Sequence, residues 1–127
     1  MQRLKTTQVA LAKAKILKSQ GGCCAICKKP ITVAEACQDH NHATGICRGA
    51  LCRNCNGIEG KVKNLAIRGR RNLSPEAYIA NIVRYWVYHS EDRTGLIYPT
   101  HLTEDEKRLK RNAKARKARA KKKEASK

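Results

Sequence analysis

Residues 22–56 read GCCAICKKPITVAEACQDHNHATGICRGALCRNCN, and this stretch decides the fold. Cys24-Ala25-Ile26-Cys27 and Cys52-Arg53-Asn54-Cys55 are two C-x2-C knuckles with 24 residues between them. Two residues between thiolates let both sulfurs face one ion from a tight turn. Two such turns complete a tetrahedral shell of four sulfurs, which suits a structural Zn2+ closed to catalysis. An iron–sulfur cluster or a redox dithiol is the competing use of the same spacing. Cys23 abuts the first knuckle, but the two-residue spacing favours Cys24 as the ligand. Cys37 and Cys47 have no partner at ligand spacing and read as small buried residues flanking a hairpin.

Between the knuckles lies a second constellation. Short β-compatible runs flank Gly45, which offers a turn, so a hairpin is expected. From Arg53 to Lys61 the chain reads as a short helix entered through the second knuckle. A hairpin followed by a helix can gather Asp39, His40 and Asn56 around one point. A carboxylate and an amide carbonyl are hard oxygen donors suited to Mg2+ or Mn2+. An adjacent imidazole can take a proton from water. Those are the parts of a single-metal phosphodiesterase. The plain alternative is an Asp-His pair in an ordinary hydrogen-bonded turn.

The combination of Gly22–Cys27, Asp39-His40-Asn41-His42, Gly45–Asn56 and Glu59-Gly60 resembles the phage recombination endonuclease VII family, within the HNH or ββα-metal nucleases. The likeness is dense from Gly21 to Lys63, weaker across the helix starting at Pro75, and lost in the basic tail. It implies an α+β fold: a zinc-stabilised ββα-metal core with flanking helices. It places zinc on Cys24, Cys27, Cys52 and Cys55, and the catalytic divalent ion on Asp39 and Asn56. It makes His40 the general base and gives assisting positions to His42 and Glu59. It further implies a homodimer of viral origin that acts on branched or distorted DNA. The chain departs from the family at Asn41, where an acid can occur, and in its basic tail, which stands in place of the usual C-terminal domain.

Outward from the core, Thr7–Gln20 reads as a helix ended by Gly21-Gly22, within a basic N-terminal segment of residues 1–20. The nuclease core is expected over residues 21–65. Residues 66–102 should hold a basic loop, LAIRGRRNL, and a packing or dimerisation helix. That helix starts at Ser74-Pro75-Glu76, runs to about His89, and turns Tyr78, Ile79, Ile82, Val83 and Trp86 to its buried side. Thr103–Glu106 is a capping box. The tail over 103–127 has 12 basic and 4 acidic residues and almost no apolar stripe, so it should be disordered or a lone helix.

The whole chain of 127 residues carries 28 Lys and Arg against 10 acids, a net charge of +18. Such self-repulsion suits a polyanionic partner, with DNA first. Arg48 is a candidate phosphate clamp, and Arg53, Arg68, Arg70, Arg71, Lys110, Arg111 and Lys114 are candidate DNA contacts. His89 and His101 are isolated and read as solvated or capping. No run of about 20 apolar residues exists, so no membrane span is expected. The N-terminus carries no signal-peptide pattern. Cysteines at metal spacing fit a reducing cytoplasm. Few aromatics argue against a single-stranded RNA platform. The expected activity is metal-dependent DNA cleavage, and the alternative is a non-catalytic zinc-stabilised nucleic-acid binder.

Overall fold

In a computed structural model, residues 1–126 are described. A 3-10 turn, Thr6–Gln8, leads into helix α1, Val9–Ser19. Gly21 and Gly22 both take positive φ, 71° and 74°, and close α1 in a Schellman motif. The Gly22 N–H reaches the Leu17 carbonyl at 3.0 Å and the Gly21 N–H reaches that of Lys18 at 3.0 Å. The first knuckle follows. Its Cys24 N–H donates to the Lys29 carbonyl at 2.9 Å, and its Ala25 N–H donates to Ala50 at 3.2 Å, tying it to the sheet.

Strands β1 (Ala36–His40) and β2 (Cys47–Cys52) form the expected antiparallel hairpin. Its turn is fixed by Asn41, whose Oδ1 accepts from the Ala43 and Thr44 amides while its own amide donates to Ile46 at 2.8 Å. A short side-chain oxygen that folds back on the backbone makes this turn, a role that Asn shares with Asp. Gly45 supplies the positive φ of 76°. The ladder pairs Gln38 with Ala50 but His40 with Cys47, so Arg48 and Gly49 together oppose Asp39. This is a β-bulge, which bends a strand and re-aims its side chains.

Helix α2 (Arg53–Gly69) is longer than the sequence suggests. The stretch that reads as a basic loop, from Leu65 on, is helical as far as Gly69, because Ala66 falls on the inward face and is buried. Gly69 lies so close to Tyr78 of α3 (Pro75–Tyr88) that an added Cβ would stand 3.1 Å from its ring. Along α3, Tyr78, Ile79 and Ile82 are half-buried, but Val83 and Trp86 are exposed, against the expectation that both face inward. The short elements before them leave no surface to cover that end of the stripe. Cys47 is likewise exposed rather than buried.

The core is two small clusters joined through Ile31. Leu17, Ala36 and Ala50 form one, and Cys24, Leu51 and Cys55 the other. Sulfur thus supplies much of the interior, as the scarcity of large apolar side chains requires. Gln20 binds α1 to the sheet. Its Nε2 donates to the Cys23 and Ala50 carbonyls, both at 2.9 Å, and its Oε1 accepts from the Ala50 amide at 2.8 Å.

The chain divides into one compact unit over Met1–Val87 and a second from Tyr88 onward. The second contains α4 (Glu104–Ala125), a helix exposed along its length. Thr103 caps it, with its Oγ1 accepting from the Glu106 amide at 3.1 Å, and three acids in the first turn meet the positive end of the dipole. Of the two states open to the tail, the structure takes the lone helix; Lys127 lies outside the described residues.

Candidate metal centre and cleft

The Sγ atoms of Cys24, Cys27, Cys52 and Cys55 lie within 4.8 Å of one another, with Cys27 and Cys52 at 3.9 Å. A tetrahedron built on Zn–S bonds of ~2.3 Å has edges of ~3.8 Å, so the quartet needs only slight contraction to fit the ion. Two of the ligands sit on the start of α2. Cys52 is its N-cap, and its sulfur accepts from the Cys55 amide at 3.4 Å. The positive end of the helix therefore faces the sulfurs and favours thiolate. Burial pushes the Cys24 thiol up, but the amides of Cys52, Cys27 and Ile26 outweigh it and bring it down to about 6. Cys55 is pushed up to about 12, first by the Cys52 sulfur and then by burial. Four crowded sulfurs resist losing their protons together, and a bound dication removes that resistance. Cys23 is outside the quartet, as the spacing indicates.

The expected catalytic residues fall on the bulged end of the hairpin and the facing side of α2. Asp39 is 7% exposed, a buried carboxylate. Its partner is Arg48, whose Nε lies 2.6 Å from Asp39 Oδ2 and whose Nη2 lies 3.2 Å from Glu59 Oε1. The hydrogen bond to Asp39 holds the guanidinium proton more tightly than usual, opposed by some desolvation and reinforced by both negative charges. Arg48, expected to be a free phosphate clamp, is thus engaged between two acids. Gln38 secures the bulge, its Nε2 donating to the carbonyls of Asp39 at 3.0 Å and Arg48 at 2.9 Å. Its Oε1 is buried without a hydrogen-bond partner.

His40 is exposed at the end of β1, and its ring stacks on His42 with centroids 4.7 Å apart. Asn56 is half-buried in the first turn of α2. It precedes Glu59 by three residues, so both share one helical face, and Glu59 is one guanidinium away from Asp39. A carboxylate that already holds a cation, with an amide oxygen on the neighbouring face, is a donor set that fits a hard divalent ion. Beside it opens a cleft of about 460 Å3 between the hairpin turn and α2, lined among others by His42, Arg48, Glu59, Lys63 and Asn64.

Sequence reasoning missed Gln38 and Lys63. Lys63 is visible there only as one of many lysines, and Gln38 matters because of the bulge. The expected DNA contacts scatter. Arg53, Arg68 and Arg71 are exposed on or just beyond α2, whereas Arg70 donates to the Leu73 carbonyl at 3.0 Å. Lys110, Arg111 and Lys114 share one side of α4 with Lys107 and, together with Leu102 just before the helix, line a shallow hollow of about 300 Å3.

Hairpin, helix and four-sulfur cluster together define a small α+β protein built on a zinc-type knuckle. The recombination endonuclease VII family model matches residues 1–112, and the chain belongs to that family of DNA endonucleases acting in recombination. A search of curated proteins finds no match. No helix among the described residues is long and apolar enough to cross a membrane.

Proposed function

We propose that the chain is an HNH-type, Mg2+- or Mn2+-dependent endonuclease that hydrolyses phosphodiesters in branched or distorted DNA of a phage or its host, within a reducing cytoplasm. The observation that carries the reading is Asp39. A carboxylate is buried on a bulge, next in sequence to a histidine and tied through Arg48 to Glu59 on the helix that also carries Asn56.

Asp39 and Asn56 would hold the catalytic ion, which supplies positive charge to the pentavalent phosphate and the leaving oxygen. His40 accepts a proton from water at a ring nitrogen, and the oxygen so freed attacks phosphorus. The bond to the 3′ oxygen breaks and that oxygen takes a proton from solvent, leaving a 5′-phosphate and a 3′-hydroxyl. His42 supports the His40 ring by stacking. Lys63 lines the cleft and would turn from its ion pair with Glu76 to the neighbouring backbone, and Arg53, Arg68, Arg71 and the α4 residues Lys110, Arg111 and Lys114 would extend that role. Pairing of two copies through the exposed apolar faces of α2 and α3 would present two such sites to two strands.

The test is incubation of zinc-loaded protein with a four-way junction and a matched linear duplex, with and without Mg2+. Cleavage of the junction that needs Mg2+ supports the proposal. Binding without cleavage under every condition would leave a nucleic-acid-binding protein.

A further inference from the structure

We propose that Arg48 is a displaceable counter-cation: it neutralises Asp39 until a divalent ion arrives, then swings into the cleft to take the phosphate. The inference rests on the reading of Asp39 as a cation ligand.

A carboxylate as buried as Asp39 is costly to keep charged without a partner. Here the partner is one guanidinium that bridges a strand acid and a helix acid, at 2.6 Å to Asp39 and 3.2 Å to Glu59. The three groups differ in freedom. The Asp39 side chain is 9% exposed and that of Glu59 28%, whereas that of Arg48 is 40% exposed and borders the cleft. Its backbone is held, because the Arg48 carbonyl accepts from Gln38 Nε2. The side chain can therefore pivot on a fixed base.

A divalent ion on Asp39 beside the guanidinium would set two cations, three positive charges in all, against one carboxylate at contact distance, and their repulsion favours the departure of one. Arg48 is the one with solvent and a cleft beside it. In that cleft its planar fork matches two phosphate oxygens, beside Lys63, whose Nζ is paired with the exposed Glu76. Ion binding and phosphate capture then share one moving part, so each favours the other.

The experiment uses the zinc-loaded full chain without DNA and Mn2+ as the probe, its free aqua ion counted by electron paramagnetic resonance. Arg48→Met removes the competitor, and Mn2+ should bind roughly tenfold tighter, within the usual range for coupled ligands. In parallel, the Arg48 Nε–H signal of the unsubstituted protein, assigned by its loss in Arg48→Lys, is followed by 15N NMR during Mg2+ addition. It should move to a solvent-exposed position as the Asn56 side-chain amide shifts. The wild-type titration decides alone if Arg48→Met does not fold. An unchanged Arg48 signal while Asn56 shifts, or Mn2+ affinity no tighter in Arg48→Met, overturns the proposal. No Mn2+ binding in either protein, with Asn56 unmoved by Mg2+, removes instead the cation-ligand reading beneath it, and the proposal with it.

Discussion

Gln20 carries more of this fold than its residue type advertises. Its amide pairs with both the N–H and the C=O of Ala50, a residue with no exposed surface, and so acts as a one-residue extra strand. Gln20→Leu leaves the Ala50 N–H buried and unmet, while the Ala50 carbonyl keeps the Ala25 amide. We expect a loss of about 1–3 kcal/mol in urea unfolding of the zinc-loaded chain, with zinc content unchanged. The same interaction explains Gly49, since a Cβ there would stand 3.0 Å from Gln20 Oε1 and 3.2 Å from the Ala25 Cβ. His40 makes the opposite kind of prediction. It is exposed and its ring stacks on that of His42, so His40→Ala should abolish cleavage and leave DNA affinity within about twofold, read by gel shift beside a cutting assay. Parallel loss of both would assign His40 a structural part. The donor types of Asp39, His40 and Asn56, on which the proposed site rests, were legible because they are written in the side chains. The engagement of Arg48 was not, because it depends on which residue the bulge sets opposite Asp39.

Among the elements, those governed by local rules were the easiest to foresee. The end of α1 follows from two adjacent glycines at positive φ, and the knuckles follow from sulfur spacing. The start of α4 follows from a threonine cap and three acids. The far end of α2 was hidden, since Gly69 and the arginines after Ile67 imitate a loop, and the burial of Ala66 that the helix gains there is not written in the local pattern. The inward turn of Val83 and Trp86 failed because periodicity gives a face without saying whether anything covers it. The knuckles carry a prediction of their own. Zinc uptake at pH 7.5 should release fewer than four protons per chain, because Cys24, at about 6, enters already ionised while Cys55, at about 12, must give its proton up. As pH falls through about 6 Cys24 is protonated too, so the count rises and affinity drops. Calorimetry in buffers of differing ionisation enthalpy measures the count, and a value independent of pH would contradict it.

At the scale of the molecule, the charge is unevenly distributed. Helix α4 holds 11 basic residues against 4 acidic ones and buries none of them. Deleting Lys107–Lys127 should leave the melting of the unit over Met1–Val87 unaltered. DNA binding should weaken, and the slope of log affinity against log salt should flatten by ~0.9 for each duplex phosphate that the tail no longer neutralises. An unchanged slope would mean that the tail does not touch the backbone. Net charge made a polyanionic partner legible from composition alone, but how α4 engages it is not something charge can specify. The chain has one tryptophan, Trp86, and it stands 66% exposed on α3, away from the two core clusters. Intrinsic fluorescence will therefore stay nearly silent while the sulfur-lined interior comes apart. The same emission should blue-shift and brighten when something apolar settles on α3, which makes this indole a poor thermometer and a good doorbell.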